Sequence, residues 1–585
     1  IGAANNGYYG IALTNGATYN LGLYARAAAG FSGSIAVSLE SANGGTVYAQ
    51  GTVGGLTTSW QHFALSLVPN ATDSNARLVL RISQAGSVYL DFISLFPAQT
   101  FKNRTNGLRP DLANMLVNLK PSFMRFPGGS WVDGTSLANA YHWELTVGDP
   151  ANRVPRNNIW GYMVDNGLGY HEYLQMCEDI GAAPLLCVNC GMAGSEAVAP
   201  SNLGPWVQEA LDAIQYANGD TNTTWGAQRA ADGHPAPFNL QYIEIGNENS
   251  GAAYNANYAP FYNAIHASYP DMHIIADSFG TIPTSAPGEM LDEHYYNSAS
   301  WFAQHSTHYD SYSRSGPKIF VGEYAVAYNI GPGFAATLQN ALGEAAWMTG
   351  LERNADIVAM ACYAPLFANW NNQNWSPDLI YFNGTQVYGT PSYYVQQMFS
   401  LNRGNVVLPT SVAVSGNPLY VSSSLVNASG EIIVKAVNFN NSSMTTTFKV
   451  NGVASIASSA TVVQLSGSAS DTNSFAAPTQ VFPVTNVINN AGVNFTVTLP
   501  ADSLSIFKLQ GSGFNSATNL QLQFMSPLNV GQEAPTTVSG VISGQTVSLA
   551  GNYAVTYASA NPAVAVVNGS GLVIGAGPGT TTITA

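Results

Sequence analysis

The sequence predicts a multidomain chain of α/β plus all-β class: a (β/α)8 barrel of the TIM type, one strand unaccounted for, flanked by β-sandwich domains. Three observations carry this. The 585 residues and 61.6 kDa are too much for one hydrophobic core. From about residue 99 to 404, apolar runs alternate with helical segments, the rhythm of a parallel sheet with crossover helices. On either side the helical pattern stops, and short alternating strands follow one another between turn residues.

Residues 1–98 contain "GSIAVSLES", "GTVYAQGTV", "QHFALSLV", "ARLVLRIS" and "SVYLDFISLFP", which predicts a β-sandwich. Its Tyr and Trp residues suit either sugar stacking or core packing. In 99–404 the strand candidates are "SFMRFPGG", "APLLCVNCG", "LQYIEIGNE", "HIIADS", "MLDEHYY", "KIFVGEYA" and "IVAMACYAP". Helical segments such as "YHEYLQMCEDIG", "WVQEALDAIQYA" and "LQNALGEAAWMTGLERN" lie between them. The strands are apolar on both faces, as strands covered by helices outside and packed inside must be. No G-x-G-x-x-G follows the first of them to favour an open doubly wound sheet. Residues 405–512 form a second predicted sandwich, and 513–585 a further β module.

Composition narrows the ligand. Only 9% of residues are charged, and 18 basic against 33 acidic residues leave a net charge of −15. An acidic chain without a Lys/Arg cluster is a poor match for nucleic acid, and a neutral ligand fits better. No apolar run approaches the ~18 residues of a membrane span. Both ends read as clipped inside structure, without a signal peptide in this chain. Four scattered cysteines are no disulfide framework, and the pair Cys187–Cys190 lacks the second pair or His cluster of a zinc site.

In a (β/α)8 barrel, polar side chains at the C-terminal strand ends reach one functional face. Arg125 follows "SFM", Asn247 and Glu248 end "YIEIGNE", His294 and Tyr296 end "DEHYY", and Glu323 ends "KIFVGE". An unpaired carboxylate costs a buried strand free energy, so two at strand ends are better explained as a working pair. The reaction that needs such a pair is glycoside hydrolysis. Glu248 would be the acid/base, kept protonated largely by the negative charge of Glu323, while Arg125 would hold Glu323 ionised. Asn247 would hold a sugar hydroxyl, and Glu244 is either a partner behind the site or a strand-face charge. Each residue also has a structural reading: "GNE" is common at helix caps, His294 can bond within a core, and Trp143 in "YHWE" can simply pack.

The stretches "LKPSFMRFPGGSWVDG", "DNGLGYHEYLQMCEDIGAAP", "IEIGNEN", "FVGEYAV", "GLERNADIVAMACYAPLFAN" and "YGTPSYYVQQMF" closely resemble glycoside hydrolase family 51. The branch is that of α-L-arabinofuranosidases carrying a carbohydrate-binding-like sandwich ahead of most of the barrel. The resemblance implies release of terminal α-L-arabinofuranosyl units from arabinan- or arabinoxylan-type plant cell-wall polymers, with retention, no cofactor and no metal. It implies Glu248 as acid/base, Glu323 as nucleophile, Arg125, Asn247, His294 and Tyr296 as substrate-holding, and Trp143, Ser130 and Asn189 as further site residues. Ser130 stands where relatives usually show Cys or Asn, and Asn249 where this branch usually shows Asp. The family's first barrel strand precedes the inserted sandwich, which implies an incomplete barrel here. The last module resembles bacterial immunoglobulin-like repeats of the Big-2 type, which implies a secreted or cell-surface protein, and a homo-oligomer is compatible with the family. The alternatives are an endo-β-glucanase or β-xylosidase on the same barrel, or a non-catalytic carbohydrate-binding cell-surface protein.

Overall fold

The computed structural model describes residues 1–327, 334–413, 419–514, 518–542, 545–549 and 555–585. The seven predicted strands form one sheet: β1 (Phe123–Phe126), β2 (Ala183–Val188), β3 (Tyr242–Ile245), β4 (His273–Asp277), β5 (Met290–Asn297), β6 (Lys318–Val326) and β7 (Val358–Tyr363). They pair in chain order and every pairing is parallel. The sheet curls into the barrel, and among the described residues β1 and β7 are its two edges, so one position of an eight-stranded cylinder stays open.

Helices cover the outside. They include α1 (Tyr170–Ile180), α2 (Gly204–Asn218), α3 (Gly251–Ser268) and α4 (Leu338–Arg353). On α2 the buried Ala210, Ala213, Ile214 and Ala217 recur at helical spacing and pack on the sheet. The α4 helix is capped by Thr337, whose side chain accepts the N–H of Asn340.

Period two along the strands sorts the barrel interior into layers. Phe123, Leu185, Tyr242, Ile275, Met290, Phe320 and Met360, one from each strand, form an apolar cluster separate from the helix-side core. Two residues further on, the same strands present Arg125, Cys187, Glu244, Asp277, Asp292, Gly322 and Cys362. An apolar plug therefore lies beneath a ring rich in charge at the C-terminal end.

Before the barrel, a sheet containing Ile35–Ser41 and Asp73–Arg81 faces a three-stranded sheet of Gln61–Leu67, Tyr19–Ala27 and Val88–Pro97. Leu21, Leu23, Leu39 and Leu78 fill the space between them. After the barrel, Leu419–Val426, Glu431–Asn438, Ala460–Ser466 and Ser503–Phe514 form a second antiparallel sheet. Its Ile433, Val437, Leu504 and Ile506 join the barrel's own core, and Ser422 Oγ donates to Glu352 on α4 at 2.7 Å. Among the described residues two small three-stranded sheets follow, one containing Thr518–Gln523 and the other Leu572–Gly575.

Candidate active site

Glu248 and Glu323 lie at the ends of β3 and β6, the fourth and seventh barrel positions when β1 is counted as the second. One oxygen from each, together with a ring nitrogen of His294, lie within 4.8 Å of one another. The two acids differ in surroundings: the Glu323 side chain is 11% exposed and that of Glu248 33%. Glu248 is the one open to an arriving group.

Donors hold both oxygens of Glu323. Arg125 Nη1 donates to Oε1 at 2.8 Å and the Tyr296 hydroxyl to Oε2 at 2.6 Å. Arg125 also donates from Nε and Nη2 to Glu244, and from Nη2 to Asn247 Oδ1 at 2.9 Å. A single buried guanidinium thus ties strands β1, β3 and β6 together, and it settles Glu244 as a partner behind the site. His294 sits between carboxylates, Nε2 at 2.7 Å from Asp292 and Nδ1 at 2.8 Å from Glu248. Burial disfavours a charged imidazole, but the Asp292 and Glu323 charges outweigh it and raise His294 well above its ordinary range. The imidazolium so favoured donates to both acids. Burial pushes Glu244 well up against the opposing pull of Arg125, whereas His294 holds Asp292 down at about 2 despite the same burial.

The backbone is shaped to deliver these groups. The β5–β6 register shifts between Asp292 and His294, which brings His294 beside Glu323, and the β6–β7 register shifts between Val321 and Tyr324. Such irregularities re-aim side chains at barrel rims. Glu248 itself has φ +53, an uncommon conformation for a non-glycine residue that surrounding bonds must enforce. Asn249 supplies them: its Oδ1 accepts from the Asn247 N–H and the Cys190 thiol, and its own N–H donates to Asp277. Cys187 Sγ donates to the Gly246 carbonyl at 3.0 Å, so the two thiols, free in this chain, brace the loop rather than merely fill space. At Gly246, φ +88, a Cβ would stand 2.6 Å from Asn249 Oδ1, and at Gly322 it would stand 2.1 Å from Asp292 Oδ1. Only glycine fits either place.

The triads Glu244–Asp292–His294 and Glu248–His294–Glu323 are each compact enough to hold a metal ion. Their chemistry fits one poorly, because His294 spends both nitrogens on carboxylates and Arg125 already occupies both oxygens of Glu244 and one of Glu323.

Arg125, Asn247, Glu248, His294, Tyr296 and Glu323 therefore converge. Ser130 opens a one-turn helix, Ser130–Asp133, directly after Gly129, whose Cβ position lies 3.5 Å from Glu323 Oε1. Two expected site residues do not join them. Trp143 is 2% exposed, donates its indole N–H to the Glu209 carbonyl and packs edge-on against Tyr170 and Trp225. It belongs to the core, because its sequence neighbourhood is a short 3₁₀ turn held against α1 and α2. Asn189 also cannot bind a sugar: its amide donates to the Val132 and Met192 carbonyls, and its oxygen accepts from the Gly191 and Met192 N–H groups. All four of its bonding positions are used by backbone. The aromatics that flank the site include Phe279, 6.5 Å from the His294 ring, Trp375, 5.1 Å from the Tyr296 ring, and Trp160, 5.9 Å from Trp375 and 38% exposed. Trp160 and Trp375 lie in irregular loops, where periodicity is silent; "NIW" and "QNW" offer only composition.

Two further carboxyls flank the Glu248 loop. Burial, with the Glu248 charge adding, pushes Asp133 up to about 7, and burial with the Asp292 charge pushes Asp277 up to about 8. Both are raised in the fold, so their stabilising effect is complete below the ordinary carboxyl range and is lost as pH rises toward 7–8. Among the described residues, Asp133 has a buried Oδ1 without a partner, while Oδ2 accepts a long bond from Asn249. Asp133→Asn is accordingly expected to flatten the decline of Tm between pH 5 and 8, measured by scanning fluorimetry; parallel curves for variant and wild type would exclude it.

Comparison with known proteins follows the same lines. Residues 115–314 match the α-L-arabinofuranosidase 1 domain, 322–503 the α-L-arabinofuranosidase C-terminal domain, and 545–585 the intimin immunoglobulin-like domain. Arabidopsis thaliana α-L-arabinofuranosidase 1 is 40% identical over 522 residues, 87% of this chain and 76% of that protein. An extracellular exo-α-L-arabinofuranosidase of Streptomyces chartreusis is 38% identical over 443 residues, 70% of this chain and 52% of that protein. The solved structure of an arabinose-bound family 51 α-L-arabinofuranosidase superposes with a TM-score of 0.82 at 36% identity, covering 87% of this chain and 85% of that one. An arabinofuranosidase from Thermotoga maritima, at 20% identity and a TM-score of 0.57 over 69% of this chain and 90% of that one, shares the fold.

Proposed function

Because this chain belongs to the family 51 α-L-arabinofuranosidases, we propose that it removes terminal α-L-arabinofuranosyl units from plant cell-wall polysaccharide by double displacement, with retained configuration. The observation that carries the mechanism is the close approach of Glu248 and Glu323 oxygens, within 4.8 Å. Retaining enzymes place their carboxyl groups about 5–5.5 Å apart, whereas inverting ones leave about 6.5–9.5 Å for a water. Glu323, fixed by Arg125 and Tyr296, attacks the anomeric carbon; the C–O bond to the leaving group breaks and Glu248 gives that oxygen its proton. Water then attacks the arabinosyl ester of Glu323, losing a proton to Glu248 and restoring both acids. His294, bonded to Glu248 and 3.7 Å from Glu323, positions the acid and offsets charge between the two.

The domain layout that goes with this reading is a carbohydrate-binding-like sandwich over 1–98, the barrel over 99–404, a second sandwich over 405–512 and an immunoglobulin-like module over 513–585. The Streptomyces chartreusis relative, extracellular by name, supports secretion of this chain to its polymer substrate. Among the described residues, no helix is long and apolar enough to cross a membrane.

Glu248→Ala provides the test. Loss of a general acid costs on the order of 10²–10⁴-fold with a poor leaving group, and much less with an activated aryl arabinofuranoside. Azide should restore turnover of the aryl substrate and yield the α-arabinosyl azide, because two inversions occur. Equal losses with both leaving groups, or a β-azide, would overturn the assignment.

A further inference from the structure

We infer that the outward face of the three-stranded sheet in the N-terminal sandwich is a second carbohydrate site, taking the neutral polysaccharide chain whose arabinofuranosyl branches the barrel removes. The inference rests on the reading above for the identity of the polymer, but on separate residues for the site.

Along Tyr19–Ala27 the side chains of Leu21, Leu23 and Ala25 point into the sandwich, so Tyr24 and Arg26 stand on its outer face. The register sets Arg26 opposite Tyr89 and Tyr24 opposite His62. The Arg26 guanidinium lies 4.5 Å from the Tyr89 ring centroid and 5.3 Å from that of Trp60. Those rings are 47% and 45% exposed, large apolar faces left in water at the surface of one small domain.

Arg26 is itself unusual. Each of the other eleven arginines of the chain donates at least one hydrogen bond to a partner. Among the described residues Arg26 makes none and has no ion pair, and its Nε is buried without a partner. In a chain with 33 acidic residues and 18 basic ones, an arginine that meets aromatic faces rather than a carboxylate is not placed for structural charge pairing. Stacking spends the faces of a guanidinium and leaves its edge donors free. Two aromatic faces beside a fork of unspent donors are what a sugar chain requires: apolar C–H faces stack on the rings and hydroxyl oxygens accept from the fork.

Charge selects among occupants. Asp91 stands across from Tyr24 on this face and the chain carries −15, so a polyanion is disfavoured. The patch is also continuous with the catalytic domain. The Tyr24 hydroxyl donates to Asp149 Oδ2 at 3.0 Å, and Asp149 lies in the segment after β1 that also carries Trp160. A polymer lying on Trp60 and Tyr89 is thereby held to the side of the barrel where the strand ends open.

The test uses the full chain carrying Glu323→Gln, so that polymer is bound and not consumed, and reads its retardation in native gels containing soluble arabinoxylan. Trp60→Ala with Tyr89→Ala is expected to weaken retardation about tenfold, and Arg26→Gln to weaken it several-fold, with Arg26→Lys no better. In the otherwise wild-type chain the same substitutions should leave hydrolysis of an aryl arabinofuranoside unchanged, which also shows that the barrel remains folded. Unchanged retardation in every variant overturns the site. Retardation by polygalacturonate that Arg26→Gln abolishes, with none by arabinoxylan, overturns the neutral occupant. Failure of the wild-type chain to cleave the aryl substrate would count against the proposed function alone, since retardation is read separately.

Discussion

Replacing Glu323 by alanine is expected to lower kcat by on the order of 10⁴-fold or more, since the attacking group itself is removed. The stereochemistry of rescue then identifies its role. In Glu323→Ala the vacated space lies beside the anomeric carbon, so azide enters there and displaces the leaving group once, giving the β-arabinosyl azide. The acid/base variant gives the α-azide under the same conditions, and opposite anomers from two variants of one site admit few other mechanisms. Folding should survive, because Arg125 retains its two bonds to Glu244 and its bond to Asn247. Product anomers are read by NMR. Residual activity within about a hundredfold of wild type, or an α-azide, would remove Glu323 from the reaction.

How far the chain itself reveals this site depends on where each residue sits. The barrel strands were legible because each is a short apolar run ended by polar residues, and Glu248 and Glu323 follow such runs directly. Asp292 has a signal in the sequence: it stands two residues before His294 in "DEHYY", and period two puts both on one face. The same reasoning applied across all seven strands separates the apolar plug from the ring of Arg125, Glu244 and Asp292 above it. Glu244 remained ambiguous because its partner is 119 residues distant, and only the β1–β2–β3 register brings the two together. Trp375 and Trp160 could not be reached from pattern at all. Trp143 misleads because a tryptophan in "YHWE" reads alike whether its indole faces sugar or the Glu209 carbonyl. The exposed rings of Trp60 and Tyr89 were likewise invisible, since alternation assigns a face but not which face is covered.

The bulge-shifted registers and the left-handed Glu248 also show why no single motif suffices. Two acids on separate strands come within one sugar ring only because Gly322 lets Asp292 approach the backbone of β6, and Gly246 lets Asn249 fold back under Glu248. Glycines that carry no chemistry therefore set the distance on which the chemistry depends.

The second large effect is expected at Arg125, where stability and catalysis are coupled through one side chain. Arg125 is 5% exposed, donates to Glu244, Asn247 and Glu323, and lies 3.7 Å from Asp292. Arg125→Gln removes a cation that stays charged at every working pH from a cluster of buried acids, and stripping one partner from such a cluster costs roughly 3–5 kcal/mol. Glu323 loses the donor on Oε1 at the same time, and losing one preorganised electrostatic partner costs about 10²–10³-fold in kcat. Arg125→Lys separates the two effects. An ammonium restores a positive charge near Glu244 but cannot span Glu244, Asn247 and Glu323 at once, because it lacks the planar fork. Urea denaturation should therefore recover part of the lost stability in Arg125→Lys, while kcat on an aryl arabinofuranoside stays low. If lysine restores kcat as fully as stability, the fork geometry is irrelevant to the reaction and Arg125 acts as a charge alone.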